Sequence, residues 1–151
     1  MNNLILVRHG QSLWNLESRF TGWTDIDLTE QGKSEAKYAG QLINETHIKF
    51  DAYFTSFQKR AINTLEIILD ILNKKDSEIK KAWQLNERHY GALTGLNKDE
   101  MMKKHGKNQV HIWRRSFDIS PPPMEREHPQ HPSNYQAYKA IPQDKIPNGE
   151  S

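Results

Sequence analysis

The sequence predicts an α/β fold with a mainly parallel sheet, and three short segments with the character of strands lead to this prediction. Leu4–Val7 is an unbroken aliphatic run, which is typical of a buried, central parallel strand. Ala52–Thr55 combines aromatic and β-branched residues, which strands favour. Ile79–Trp83 is a third, shorter candidate flanked by charge. The segments that follow the first two strands have helical periodicity, so we expect helices to connect the strands.

Capping residues and apolar residues at helical spacing predict helices between and after these strands. Thr29 is a suitable N-cap, with Glu30 in the first turn, and small apolar residues then recur at helical spacing. After Ala61 a second apolar stripe recurs at the same spacing. The two sets are Ala36, Ala39, Gly40 and Ile43, and Ala61, Leu65, Ile68, Leu69 and Leu72. Both patterns predict helices that bury one face.

Two further helices are predicted in the second half of the chain. Asn97 is placed as an N-cap, lysines occupy the last turn, and Gly106 is the expected C-terminal glycine. A second segment from about Asn108 carries Val110, Trp113 and Phe117. The stretch from Ser120 to Pro132 holds five prolines and predicts a long loop that could act as a flap.

Composition excludes several classes of protein. The chain has 151 residues, 21 basic and 19 acidic, and its formal net charge is +2. These charges are mixed along the chain, so the sequence gives no case for nucleic-acid binding. There is no cysteine, and therefore no disulfide or thiolate chemistry. No apolar run approaches membrane length, and no signal peptide precedes the first strand, so we expect a cytoplasmic protein.

Arg8, His9 and Gly10 stand where the first predicted strand ends, which is where ligands gather in open α/β sheets. Asn15, Arg19, Thr21 and Gly22 follow within reach, and the set is rich in hydrogen-bond donors. This chemistry predicts an anion site, with phosphate as the expected anion. A neutral imidazole can act as a nucleophile near pH 7, so His9 is a candidate for phosphoryl transfer. Alternatively, His9 only ends the strand and Arg8 faces water.

Two later positions also admit a functional or a plain interpretation. Arg60 lies near the start of a predicted helix, where an arginine does not stabilise the helix. Contact with a bound phosphate would explain an arginine at this position. The alternative is a solvated Lys59–Arg60 pair. Glu87 lies in a predicted loop. A carboxylate beside a phosphate suits general acid–base work, whereas an exposed pair with Arg88 is the alternative.

Three blocks of sequence resemble the cofactor-dependent phosphoglycerate mutases of the histidine phosphatase superfamily. They are RHGQSLWN at 8–15, FTGW at 20–23 and LNERHYGALTGLNK at 85–98, joined by KRA at 59–61 and WRR at 113–115. The resemblance implies one domain over 1–151 with three α/β/α layers and a mainly parallel sheet, lacking the C-terminal part of the family chain. It also implies interconversion of 3-phosphoglycerate and 2-phosphoglycerate through a phosphohistidine in glycolysis and gluconeogenesis.

The resemblance assigns roles residue by residue. His9 would carry the phosphoryl group, Arg8 and Arg60 would stabilise it, and Glu87 would shuttle the proton. The remaining positions would hold the substrate's phosphates and carboxylate; they are Gly10, Gln11, Ser12, Asn15, Thr21, Gly22, Arg88, His89, Tyr90, Lys98, Arg114 and Arg115. The primer would be 2,3-bisphosphoglycerate, with no metal. The expected partners are small-molecule phosphoglycerates, without nucleic acid or membrane, and a homo-oligomer is left open.

Members of this family continue beyond the point where the sequence stops, and they carry a second histidine in a His-Gly-Asn context after a further strand. No such motif occurs here. We therefore expect residues 1–151 to be a fragment or a truncated product with impaired catalysis. Two alternatives stay open, a phosphatase of the same superfamily and a phosphate-binding domain without activity. Lys98 and the Arg114–Arg115 pair favour the mutase, because they suit a substrate carboxylate and a second phosphate.

Overall fold

The computed structural model describes residues 3–151, and these residues form two compact units. The first unit comprises residues 3–13 and Asp25–Asn86, and the second comprises Trp14–Thr24 and Glu87–Ser151. The chain therefore leaves the first unit after Leu13, returns at Asp25, and leaves it again after Asn86. A four-residue helix, α1 (Leu13–Leu16), lies at the first of these points.

The first unit contains two helices and a parallel pair of strands. They are α2 (Glu30–Glu45), β1 (Tyr53–Thr55), α3 (Lys59–Ile71) and β2 (Ile79–Lys81), with Tyr53 opposite Ile79 in the ladder. Helices α2 and α3 pack on each other, and Gly40 lets them approach closely. The core is formed by buried apolar side chains, namely Leu28, Ala36, Ile68 and Leu69. The predicted helices and the parallel pairing are confirmed.

The start of α2 follows the predicted cap. The Thr29 hydroxyl accepts a hydrogen bond from the Gly32 amide at 3.1 Å, which satisfies one of the free donors of the first turn. Of the predicted apolar stripe, Ala36 and Gly40 are buried. Gly32 has a tertiary role, because a Cβ atom there would collide with the backbone of Gln11. A residue that weakens the helix locally therefore permits close packing of the preceding loop.

The prediction of a buried strand over Leu4–Val7 is wrong for this structure. These residues form no ladder with any described strand, and Leu4 and Leu6 are 80% and 85% exposed. A central parallel strand needs partners along its edges, and in the described residues the only ladder joins β1 to β2. The aliphatic composition of Leu4–Val7 favours burial, but it does not determine which strands would pair with this segment. The other two strands are shorter than predicted, at three residues each.

The second unit is largely helical and irregular. It contains α4 (Lys98–His105) and α5 (Lys107–Arg115), and its core is Phe20, Leu93, Met101 and Val110. Single turns of 3₁₀ helix occur at Gly91–Leu93, Pro132–Asn134, Gln136–Tyr138 and Gln143–Lys145, and another, Trp83–Leu85, lies in the first unit. The Asn97 cap and the Gly106 terminus of α4 are confirmed, with the Asn97 side chain accepting from two amides.

One prediction in the second unit needs correction. Helix α5 ends at Arg115, so Phe117 lies outside it and is 94% exposed. The proline-rich segment is a loop as predicted, and backbone hydrogen bonds join it to other parts of the unit. The Ala92 amide donates to the Pro122 carbonyl at 2.8 Å, and the Met124 amide donates to the Asn148 carbonyl at 2.7 Å. Met124 is also buried.

Candidate functional site

The loop that carries the predicted nucleophile is held against the first turns of α2. The Thr29 amide donates to the Gln11 carbonyl at 2.9 Å, and the Gln11 amide donates to a Glu35 carboxylate oxygen at 2.8 Å. Gly10 is buried against Gly32, and a Cβ atom at position 10 would collide with the Gly32 backbone. Glycine at both positions therefore lets the loop lie directly on the helix.

Each ring nitrogen of His9 has a hydrogen-bond partner. Its Nδ1 lies 2.7 Å from the Gly10 carbonyl oxygen, and because a carbonyl only accepts, Nδ1 is the nitrogen that carries the hydrogen. In the neutral ring Nε2 then holds the lone pair, and the Arg60 Nε–H donates to it at 3.3 Å. The geometry thus presents Nε2 as a nucleophilic nitrogen beside a guanidinium group.

Arg60 is fully buried in the first turn of α3, so the alternative of a solvated Lys59–Arg60 pair does not hold for the arginine. The helix N-cap residue, Gln58, makes no side-chain capping bond. An Asp25 carboxylate oxygen instead accepts from the Lys59 amide at 2.7 Å. The start of α3 is therefore fixed by a residue from a distant part of the chain, and the guanidinium group beside His9 is fixed with it.

The remaining predicted ligands of the first unit occupy contrasting environments. Arg8 is exposed, whereas Ser12 is fully buried and forms a backbone bridge with Leu28. Gln11 is half-buried, and its side-chain oxygen accepts from the Thr29 hydroxyl at 2.9 Å. Arg8 is therefore accessible to solvent, in contrast to the buried Arg60. Ser12 and Gln11 instead make contacts that hold the loop against neighbouring residues.

In the second unit the half-buried Tyr90 lies among charged side chains. Its ring packs edge-on against Phe20, with 5.2 Å between ring centroids. Burial raises the pKa of the Tyr90 hydroxyl, and the Glu87 carboxylate raises it further, while Arg114, Arg115 and Arg88 act in the opposite direction. Tyr90 therefore stays protonated near neutral pH. The predicted proton shuttle and three predicted anion ligands are close enough to influence this one hydroxyl.

Among the predicted ligands of the second unit, two have a buried polar atom without a hydrogen-bond partner among the described residues. They are the Arg114 Nε and the Thr21 hydroxyl. Leaving a charge-bearing donor buried and unsatisfied is costly, so such a group is suited to an anionic ligand. Arg88 donates from its guanidinium to the Ser116 carbonyl at 3.1 Å, and Arg115 is exposed. Arg114 is therefore the arginine of this unit whose environment best fits ligand binding.

Three more predicted ligands lie in the second unit, and two of them are near Tyr90 or Phe20. Gly22 adopts a left-handed φ of 55° and lies against the backbone of Arg88 and Tyr90. Lys98 places its Nζ 5.9 Å from the centre of the Phe20 ring. Asn15 lies in α1, and its carbonyl accepts from the Ser18 amide at 3.2 Å. Gly22 and Lys98 thus lie on the same part of the unit as Tyr90.

His89 shapes the loop that carries these residues. Its side chain is 1% exposed, and its Nδ1 accepts from the Gly91 amide at 3.0 Å. The Glu150 carboxylate accepts from the His89 amide at 2.6 Å, and the Glu150 amide donates back to the His89 carbonyl at 2.9 Å. This geometry gives no support to the predicted phosphate contact of His89.

Sequence reasoning missed the residues that support the site. Four of them contact the backbone of a candidate residue from a distant part of the chain, namely Gly32, Glu35, Thr64 and Glu150. A fifth, Asp25, binds the amide of Lys59, the residue before Arg60. The sequence offered one usable signal, since Thr64 follows Arg60 by four residues and so lies on the same face of a predicted helix. The other contacts depend on tertiary structure.

Neither a metal cluster nor a membrane span is found in the part of the chain that the structure describes. Within residues 3–151, no three His, Asp or Glu side chains are grouped so that they could hold a metal ion. None of the helices in that range has both the length and the apolar character that crossing a membrane requires.

Comparison with known proteins identifies the family. A family model for the histidine phosphatase superfamily, branch 1, matches residues 4–132. The chain belongs to the histidine phosphatase superfamily. Within the superfamily it is 61% identical over 151 residues to a protein of Pelagibacter ubique named 2,3-bisphosphoglycerate-dependent phosphoglycerate mutase. A protein of Hydrogenobaculum with the same name is 56% identical over 151 residues. The resemblance to the mutases is confirmed.

The chain spans about three fifths of the length of these relatives. Both alignments include the whole chain, but they cover 63% and 61% of the two relatives. A solved structure of a phosphoglycerate mutase from Bacillus anthracis matches 70% of the chain and 47% of its own length, with a TM-score of 0.62 and 26% identity. The predicted fold class, an α/β fold of the phosphoglycerate mutase type with a parallel sheet, is confirmed.

Proposed function

We propose that this protein is a 2,3-bisphosphoglycerate-dependent phosphoglycerate mutase, which interconverts 3-phosphoglycerate and 2-phosphoglycerate. The observation that carries the proposal is the orientation of His9, whose Nδ1 hydrogen is engaged by the Gly10 carbonyl while Nε2 faces the Arg60 guanidinium. Relatives of 56–61% identity that bear this name support the choice of reaction and of primer.

In the proposed reaction His9 accepts the phosphoryl group from 2,3-bisphosphoglycerate. The Nε2 lone pair forms a bond to phosphorus as the bond between phosphorus and the glycerate oxygen breaks. The departing oxygen takes that electron pair and a proton, which we assign to Glu87 as the general acid. Transfer from phosphorylated His9 to the free hydroxyl of a bound monophosphoglycerate forms the bisphosphate. The bisphosphate then returns the phosphoryl group of its other position to His9, which leaves the isomeric monophosphoglycerate.

Arg8 and Arg60 would neutralise the charge of the transferred group. Arg60 already touches Nε2, and the exposed Arg8 immediately precedes the nucleophile. The transferred group carries charge on its equatorial oxygens, and two guanidinium groups can bind it with paired hydrogen bonds. The proposal therefore assigns to arginine the positive charge that a metal ion supplies in other phosphoryl-transfer enzymes.

The second unit contains groups of its own that are suited to an anion. Arg114 has an unsatisfied, buried Nε, and the Thr21 hydroxyl is also unsatisfied among the described residues. These two groups are suited to the carboxylate or the second phosphate. Further contacts are assigned from the sequence motif to Gly10, Gln11, Ser12, Asn15, Gly22, Arg88, Tyr90, Lys98 and Arg115. His89 is omitted because its Nδ1 is occupied and its side chain is buried.

The competing function is that of a histidine phosphatase, which passes the phosphoryl group to water. Membership of the superfamily is compatible with both functions. A chase experiment separates them. The protein is first incubated with 2,3-bisphosphoglycerate labelled in its phosphoryl groups, separated from free label, and then mixed with unlabelled 3-phosphoglycerate.

If the protein is a mutase, the label should move to phosphoglycerates, and Arg114→Ala should weaken this transfer. Movement of the label to inorganic phosphate at the same rate, with or without 3-phosphoglycerate, would establish the phosphatase instead. A protein that retains no label and releases no labelled inorganic phosphate during the first incubation would overturn both functions. The cytoplasmic location and a homo-oligomer stay predictions from the sequence.

A further inference from the structure

Thr64 occupies a position in α3 that the proposed mechanism does not use. It lies one helical turn after Arg60, and it is 4% exposed. Its hydroxyl makes two hydrogen bonds, donating to the Arg60 carbonyl at 2.7 Å and accepting from the Gly10 amide at 3.2 Å. The single hydroxyl hydrogen and one lone pair are therefore both engaged.

These two bonds close a ring of hydrogen bonds around the nucleophile. From the Thr64 hydroxyl the ring passes to the Gly10 amide, and from the Gly10 carbonyl to His9 Nδ1. From His9 Nε2 it passes to Arg60 Nε, and the Arg60 carbonyl returns it to Thr64. The Gly10 residue is thus held at its amide by Thr64 and at its carbonyl by the imidazole.

One of the two bonds is ordinary in a helix, and the other is not. A threonine hydroxyl commonly donates to the carbonyl four residues earlier, which has only a local effect. The bond accepted from Gly10 instead joins groups 54 positions apart in the sequence. It connects the loop that carries His9 to the helix that carries Arg60, so it bears directly on the distance between the two side chains.

We propose that Thr64 is a positioning residue, which fixes the His9 tautomer and the approach of Arg60 to Nε2. This inference deepens the proposed function and rests on it for its kinetic consequence. Without the hydroxyl, the Gly10 amide loses its acceptor and the Gly10 carbonyl is no longer fixed for Nδ1. The imidazole can then place its hydrogen on Nε2, where it blocks phosphoryl transfer.

The test compares Thr64→Val, which removes the hydroxyl with little change of volume, with Thr64→Ser, which keeps it. The control is Thr94→Val, because Thr94 is also buried but its hydroxyl has no partner among the described residues. Two quantities are measured for each purified protein. One is the single-turnover rate of phosphorylation by 2,3-bisphosphoglycerate as a function of its concentration, and the other is the ¹⁵N NMR spectrum of the His9 ring, assigned with His9→Ala.

We expect Thr64→Val to lower the limiting rate by about tenfold to a hundredfold, as the loss of one positioning hydrogen bond allows, with the half-saturating concentration changed less than about threefold. Thr64→Ser and Thr94→Val should retain the wild-type rate within about threefold. The ¹⁵N spectrum should show the Nδ1–H tautomer in wild type and Thr64→Ser, and a mixture in Thr64→Val. If Thr64→Val does not unfold cooperatively, Thr64→Ala takes its place under the same criteria.

A wild-type rate and tautomer in folded Thr64→Val would overturn the inference, and so would equal losses in Thr64→Val and Thr64→Ser. A wild-type protein that accepts no phosphoryl group would overturn the proposed function alone. The tautomer comparison would then still decide whether Thr64 positions His9.

Discussion

Burial of the His89 side chain makes the stability of this protein depend on pH. The ring is 1% exposed and its Nδ1 accepts from the Gly91 amide, so the neutral ring carries its hydrogen on Nε2. Burial, together with a smaller contribution from repulsion by His131, lowers the pKa of His89 from its ordinary value of 6.5 to about 4. The Trp23 ring packs edge-on at 6.2 Å and the Glu150 carboxylate binds the His89 amide.

The sign and size of the effect follow from proton linkage. Because the folded-state pKa of His89 is depressed, the unfolded chain binds more protons between pH 6.5 and about 4. The stability that a neutral His89 permits is therefore complete above pH 6.5 and is lost as the pH falls towards 4. Between pH 7 and pH 5 the loss in unfolding free energy is about 2 kcal/mol.

The assay is urea-induced unfolding at pH 7, 6 and 5, followed by tryptophan fluorescence or circular dichroism. The matched variant is His89→Gln, whose side-chain oxygen can still accept from the Gly91 amide but which does not titrate. We expect the wild type to lose about 2 kcal/mol more than His89→Gln between pH 7 and pH 5. Equal pH dependence in the two proteins would show that the buried imidazole does not carry this linkage.

Three further predictions concern packing, capping and the proposed roles of Glu87 and Arg114. Leu93→Ala should lower the unfolding free energy by roughly 2–5 kcal/mol in urea denaturation, because Leu93 is 3% exposed in the core of the second unit. A decrease of less than about 1 kcal/mol would contradict that packing. Asn97→Ala should cost about 0.5–2 kcal/mol by the same measurement, because it removes the acceptor of two α4 amides, and an unchanged midpoint would contradict the cap. In steady-state kinetics Glu87→Gln should lower turnover about a hundredfold to ten-thousandfold, whereas Arg114→Ala should weaken binding more than turnover; a change confined to the Michaelis constant in Glu87→Gln would refute its role as proton shuttle.

Local sequence signals predicted the helices well, and they failed where a segment depends on distant partners. Thr29, Asn97 and Gly106 define helix ends through bonds within a few residues, so the pattern alone locates them. Leu4–Val7 has the composition of a buried strand, yet its burial requires neighbouring strands, which the residues of this segment do not specify. Phe117 was expected on α5 because its spacing fits, although the helix ends before it.

In the candidate site, too, local sequence signals predicted some residues, whereas roles that depend on distant contacts could not be predicted. The motif around His9 and the position of Arg60 at a helix start were enough to predict an anion site, and the structure brings these two side chains into contact. The role of His89 could not be predicted, since it depends on a bond to Glu150, 61 positions away. Thr64 was missed for the same reason, because its partner Gly10 is remote in sequence.

The most direct measurement for the whole account is the identification of the residue that carries the phosphoryl group. Purified protein is incubated with 2,3-bisphosphoglycerate, digested under conditions that preserve phosphohistidine, and analysed by tandem mass spectrometry. The account predicts phosphorylation at His9 and its loss in His9→Ala, with turnover falling on the order of a millionfold. A phosphoryl group on any other residue, or undiminished labelling of His9→Ala, would contradict it.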